Sequence, residues 1–179
     1  MYRIIFFLIV GFGLIACSNN DKRVDAQESY AVYMSTVVTP NAATGEKTYV
    51  GPPINTMDAN NTFEMFSLRS EQSPKAAKSY ELLVLLTYFT DWRYYDSANL
   101  ENKPASTFKV ISREAGVCEE RGCVFKELMS IQLTDDFLRS HSKDGFQISI
   151  SSKSGIKSDL YVPPAYIKGY LKAVDGKGN

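Results

Sequence analysis

The chain has 179 residues, with 20 Lys and Arg balancing 20 Asp and Glu. A net charge near zero with no basic run gives no electrostatic footprint for nucleic acid, so a nucleic-acid partner is not expected. Aromatic residues make up 12% and hydrophobic residues 44% of the chain, too much apolar side chain for a disordered polypeptide and enough for one cored domain.

The first element is an apolar or Gly run, Ile4 to Ala16, behind the single positive residue Arg3. It is shorter than the ~20 residues a membrane-spanning helix needs and has the length of a secretory h-region. It ends Leu14-Ile15-Ala16-Cys17 and turns at once into Ser-Asn-Asn-Asp. That ending resembles the lipobox of bacterial lipoproteins at all four positions. The resemblance implies cleavage before Cys17, acyl chains on Cys17, and a membrane held through them, since two or more chains anchor stably where one does not. Ser18 stands where an Asp would favour retention in the inner membrane, so the likeness implies the periplasmic face of an outer membrane. The expected organisation is therefore a signal peptide over 1–16, a lipidated Cys17 with a flexible tether over 17–29, and one β-rich domain over 30–179.

Export makes the remaining cysteines informative. Cys118 and Cys123 are an even pair in an oxidising compartment, and a disulfide between them is expected, with free thiols as the alternative. A zinc site would need two further ligands, and the chain holds one His and, with Cys17 taken by lipid, no other Cys. No metal and no cofactor is expected.

Within the domain, YAVYMSTVV (30–38) reads as a first strand, rich in β-branched and aromatic residues. KTYV (47–50) reads as a short strand closed by Gly51-Pro52-Pro53, and FEMFSLR (63–69) alternates Phe63, Met65 and Ser67 against Glu64, Phe66 and Leu68. YELLVLLTYFT (80–90) is apolar on both faces, which requires cover on both. Residues 106–133 read as a hairpin. Setting Cys118 opposite Cys123 puts Ser112 opposite Met129, Val110 opposite Ile131, and Glu114 opposite Glu127 on the apolar side. TDDFLRSH (134–141) looks like a helical turn capped by Thr134. DGFQISISS (144–152) and Ile156–Val162 are strands. VPPAYIKGYLKAVDG closes the chain as a helix with Tyr166, Ile167, Tyr170, Leu171 and Val174 on one stripe, the natural cover for the second face of strand 80–90. The fold class is mainly β: an antiparallel sandwich of about seven to nine strands with a short C-terminal helix.

Chemistry candidates are few. His141 is the only histidine, in a polar SHSKDG loop, and reads as a solvated loop residue. No G-x-S-x-G, H-E-x-x-H or phosphate-binding Gly loop is present. The calcium-loop-like start at Asp58 fails at Phe63 and Arg69, where Gly and Glu are required. Glu114 and Glu127 are the one carboxylate pair. Either an arginine neutralises them as a buried ion cluster, with Arg93 or else Arg69 as partner, or a bulge at Ala115-Gly116 turns one outward, or they act as acid and base. The aromatic cluster Tyr88, Phe89, Trp92, Tyr94 and Tyr95 reads as buried sandwich core, with Trp92, Tyr94 and Tyr95 as a sugar- or peptide-stacking surface in the alternative. DWRYYDSANL, C-x4-C and the closing YVPPAYIKGYL together resemble small exported lipoproteins, a likeness that carries no activity. The expected function is a non-enzymatic binding or envelope-interaction module with an envelope protein as partner. The alternative is an envelope hydrolase using Glu114 and Glu127.

Overall fold

The structure is a computed structural model that describes residues 14–58, 62–73, 78–119 and 122–176, with side chains from residue 25 onward. The signal-peptide segment to residue 13 lies outside the described residues, as does the Cys17 side chain.

Two antiparallel sheets form the sandwich. The larger is built from β1 (Val37–Pro40), β2 (Lys47–Val50), β3 (Ile54–Met57), β4 (Phe63–Gln72), β5 (Ser79–Thr90), β8 (Phe108–Glu119) and β9 (Gly122–Thr134), in the order β1-β2-β4-β5-β9-β8 with β3 beside β2 on the same edge of β4. The smaller takes β6 (Tyr95–Leu100), β7 (Lys103–Pro104), β10 (Phe146–Ser152) and β11 (Lys157–Val162), in the order β11-β10-β6-β7. Among the described residues, α1 (Leu14–Ser35), α2 (Asp135–Ser140) and α3 (Pro164–Gly176) complete it. The eleven strands among the described residues exceed the seven to nine expected because β3, β6 and β7 are not read from the sequence, β3 and β7 being only four and two residues long.

The core follows the alternation of β5. Tyr80, Leu82, Val84, Leu86 and Tyr88 are all fully buried, against Phe66 and Leu68 of β4 and Met129 and Ile131 of β9. The small sheet adds Tyr95, Ile148, Ile150, Leu160 and Val162 from across the sandwich. The α3 stripe expected from the sequence is buried in full, and Thr134 caps α2 through its Oγ1, 3.1 Å from the Phe137 amide.

Two placements differ from the sequence reading. First, α3 does not cover the second face of β5. It lies on the same side as the small sheet: the Tyr166 hydroxyl accepts from the Leu68 amide at 3.0 Å and donates to the Pro52 carbonyl at 2.9 Å. The Tyr170 ring meets Tyr80 edge-on, and its hydroxyl is 3.0 Å from Ser70 Oγ. A strand of β5's length, roughly 40 Å at ~3.4 Å per residue, is longer than the small sheet can roof, and α3 fills the remainder of that layer. The outer face of β5 is left half-exposed, with Leu83 and Leu85 beside Met65 and Leu128.

Second, residues 30–35 are not a strand, and segment 17–29 is not a coil: both belong to α1, and only Val37–Pro40 pairs into the sheet. Helical spacing sets Asp25, Ser29 and Val32 on one side of α1, and that side meets α3. Asp25 Oδ2 is 2.7 Å from Lys168 Nζ. Gly169 lies so close that a Cβ there would fall 2.3 Å from the Ser29 carbonyl oxygen and 2.7 Å from Val32 Cβ. The Lys172 ammonium stands 4.9 Å from the Tyr33 ring centroid. Packing of this kind overrides the weak β preference of Val, Tyr and Thr.

Candidate functional site

The β8–β9 hairpin sets the site. Cys118 and Cys123 are opposite each other and joined by a disulfide. Above them the register shifts between Ala115 and Cys118, and again between Val110 and Ser112. The first bulge reverses the faces. It brings Arg113, not Glu114, opposite Glu127, and sets Glu114 opposite Lys126 on the outer side. The second returns Val110 and Phe108 to the inner side, opposite Met129 and Ile131. The expected Glu114–Glu127 pair is therefore divided between the two faces of the sheet, by a bulge within a residue of the position that the sequence offered for one.

Glu127 is completely buried, between Phe125 and Met129. Its Oε2 accepts from Arg113 Nε at 2.8 Å and from the Tyr95 amide at 3.1 Å, and its Oε1 accepts a hydrogen bond from the Tyr88 hydroxyl. Arg113 Nη2 also donates to the Tyr95 carbonyl at 2.8 Å. Burial, followed by this carboxylate, pushes the Tyr88 hydroxyl well above the ordinary tyrosine range, so it remains a donor. The ion-pair partner is thus Arg113 in place of Arg93. Arg93 joins the same network one step away. Its guanidinium sits 4.4 Å over the Tyr88 ring, and its Nη1 donates to Thr62 Oγ1 at 2.6 Å and to the Tyr95 hydroxyl at 3.1 Å. Arg69 pairs elsewhere, with Glu71 and Glu81. A charge fully removed from water persists only when its lone pairs are met this way.

The strand alternation of β6 turns Tyr95 into this network, in the core and not on a binding surface. Trp92 and Tyr94 remain outside it. They close a ladder of rings that rises from the core: Tyr88 stacks on Phe125, Phe125 meets Trp92 at 4.5 Å, and Trp92 stacks on Tyr94 at 5.8 Å, with Arg113 5.4 Å from the Tyr94 centroid. The loop carrying them bends through positive φ at Thr90 (86°) and Tyr94 (53°), backbone that a bulky side chain rarely adopts. The ladder walls a cleft of about 530 Å³, lined by Trp92, Arg93, Tyr94, Asp96 and Arg113 and by Lys153 and Ser154 from the β10–β11 turn.

A second buried carboxylate escaped the sequence reading. Glu64 is 3% exposed; its Oε2 accepts from Thr56 Oγ1 at 2.9 Å, while Oε1 makes no hydrogen bond of normal geometry among the described residues. Burial above all, then Asp58 and Asp159, pushes this carboxyl above its ordinary value, against the Thr56 and Ser158 hydroxyls. The signal was present: Glu64 alternates in phase with Phe66 and Leu68.

His141 is not a solvated loop residue. It caps α2 and packs on Phe137 at 4.1 Å, with its side chain 19% exposed. Its Nε2 is 3.0 Å from Glu101 and its Nδ1 3.2 Å from Ser140 Oγ, a Ser-His-Glu alignment in outline. Yet Nδ1 lies closer, 2.7 Å, to the Phe137 carbonyl. A carbonyl only accepts, so Nδ1 carries the proton and is no base for Ser140. Among the described residues no group of three or more His, Cys, Asp or Glu could hold a metal, and no helix is long and apolar enough to cross a membrane.

The chain matches no protein-family model, no curated protein and no solved structure.

Proposed function

We propose that this is a lipid-anchored envelope protein, held through acyl chains on Cys17 at the periplasmic face of the outer membrane, and that its folded part is a non-enzymatic binding module. The lipobox Leu14-Ile15-Ala16-Cys17 supports the anchor. The observation that carries the module is the contrast within the site. The buried acid beneath the cleft, Glu127, is saturated by fixed donors and shut from solvent, while Trp92, Tyr94, Arg93 and Lys153 line an open cleft. Acid–base catalysis by the expected pair needs carboxyls that one substrate can reach, whereas Glu127 is sealed in and Glu114 faces the other side of the sheet. Binding needs a concave wall with a few fixed polar groups, and that is what stands here. On this reading α1 continues from the anchor straight into its contact with α3, as a stalk in place of a slack tether.

Palmitate labelling of cells producing the full-length chain tests the anchor. Wild type takes up label and fractionates with outer membrane, and Cys17→Ser accumulates as unlabelled precursor. Label on the Cys17→Ser chain would refute it.

A further inference from the structure

We propose that the Trp92 cleft binds an anionic saccharide, one or a few sugar rings bearing a carboxylate or phosphate; this rests on reading that cleft as a ligand site.

The charges point to an anion. Arg93 spends Nη1 on Thr62 and Tyr95, leaving Nε and Nη2 with no hydrogen-bond partner among the described residues. Arg113 spends Nε and Nη2 on Glu127 and the Tyr95 carbonyl, leaving Nη1. Lys153 has no ion pair among the described residues and is exposed in its turn. Glu127 balances Arg113 from below and Asp96 balances one more charge, so the lining keeps one positive charge in excess. Both guanidinium groups are held in place before any ligand arrives, Arg93 by the Tyr88 ring and Arg113 by a buried carboxylate. Pre-organised forks of this kind suit carboxylate and phosphate.

The rest of the lining argues against a bare inorganic anion. One wall is the stacked Trp92–Tyr94 pair, with Tyr94 56% exposed, a flat apolar surface suited to the C–H face of a sugar ring. Asp96 would repel a second acidic group but accepts hydrogen bonds from hydroxyls, and Ser154 can give or take one. A cleft of about 530 Å³ falls in the range of small-ligand sites. The left-handed backbone at Tyr94, unfavourable for a tyrosine, is what carries that ring out to the wall, and strain of this sort gathers at ligand sites.

Trp92 is the only tryptophan in the chain, so its fluorescence reports on the cleft directly. The full-length protein in mild detergent is titrated with trigalacturonate, glucose 1-phosphate and neutral maltotriose, each at low and high salt. Expected is a saturable change with one or both acidic sugars, weakened by salt, and the arm that responds tells carboxylate from phosphate. Lys153→Glu, a surface change, weakens that response at least about fivefold without lowering the melting temperature. Iodide, an anion, quenches Trp92 more than caesium does, and Lys153→Glu narrows the difference. Maltotriose binding as tightly as the acidic sugars, indifferent to salt, would overturn the inference and leave the cleft as a neutral-ligand site. No saturable change with either acidic sugar overturns it outright.

Discussion

Replacing Glu127 by Gln keeps the shape of the side chain and removes its charge. Three donors meet that carboxylate: the Tyr88 hydroxyl, the Tyr95 amide and Arg113 Nε. A hydrogen bond to a charged group contributes about 1.5–3 kcal/mol net and a neutral one about 0.5–1.5, so the Tyr88 and Tyr95 bonds lose roughly 1 kcal/mol each while the Arg113 bond keeps its charged donor; the Tyr88 hydroxyl, left without its acceptor, adds about 1 more, about 3 in all. The amide also satisfies its neighbours less well. With its oxygen kept toward Arg113 and Tyr95, its NH2 faces the Tyr88 hydroxyl, which already accepts from the Arg93 amide at 3.1 Å and now has no acceptor of its own. The full ~3–5 kcal/mol of a broken buried ion pair is not expected, because the Arg113 side chain is 33% exposed and can rehydrate. For a chain of this size about 3 kcal/mol lowers the melting temperature by roughly 6–12 °C. Glu114→Gln is the internal control: opposite Lys126 on the exposed side, it should stay within about 0.5 kcal/mol of wild type. Both are read by thermal unfolding of the full-length chain followed by circular dichroism. A melting temperature unchanged by Glu127→Gln, or an equal fall in Glu114→Gln, refutes the account of the network.

Gly169→Ala puts a methyl against the Ser29 carbonyl and Val32, backbone and Cβ atoms that cannot swing aside, so α1 must lift from α3; a loss of about 1–3 kcal/mol is expected, with faster proteolysis within α1, and unaltered proteolysis counts against the contact. Glu64 holds its proton above the ordinary value of 4.5 when folded. The folded state therefore binds more protons than the unfolded one between 4.5 and the raised value, and this group's contribution to stability falls as pH rises through that window; Glu64→Gln should flatten that slope in urea-unfolding midpoints taken from pH 4.5 to 7, and an unchanged slope disproves the assignment. Asp135 and Asp175 are held below their ordinary 3.8, first by their hydrogen bonds to Arg139. Their stabilisation is present above pH 3.8 and lost as pH falls through the lower folded values, so Arg139→Met should shift acid unfolding to higher pH; because the groups are partly exposed the shift is small and shrinks in high salt.

Much of this protein is determined locally and could be read from side-chain period alone. The inner face of β5, the stripe of α3, the Thr134 cap and the Cys118–Cys123 pairing each follow from neighbours in the chain or from a short turn. Trp92 and Tyr94 stood out as part of an aromatic cluster, but whether they lay in the core or at a cleft was not legible. Three features were decided only by tertiary contact. Residues 30–35 have β-prone side chains, yet they stay helical because Gly169, more than 130 positions away, leaves room for α1 against α3. The side of the large sheet that α3 takes depends on how much of it the small sheet leaves uncovered, a length mismatch between layers that no single segment encodes. The partner of Glu127 turned on two bulges in β8. Each bulge adds one residue to one strand, and since strand faces alternate every residue, one insertion exchanges every side chain beyond it between core and solvent. Alternation is legible in sequence; the place where it slips is settled by the packing on both sides of the sheet.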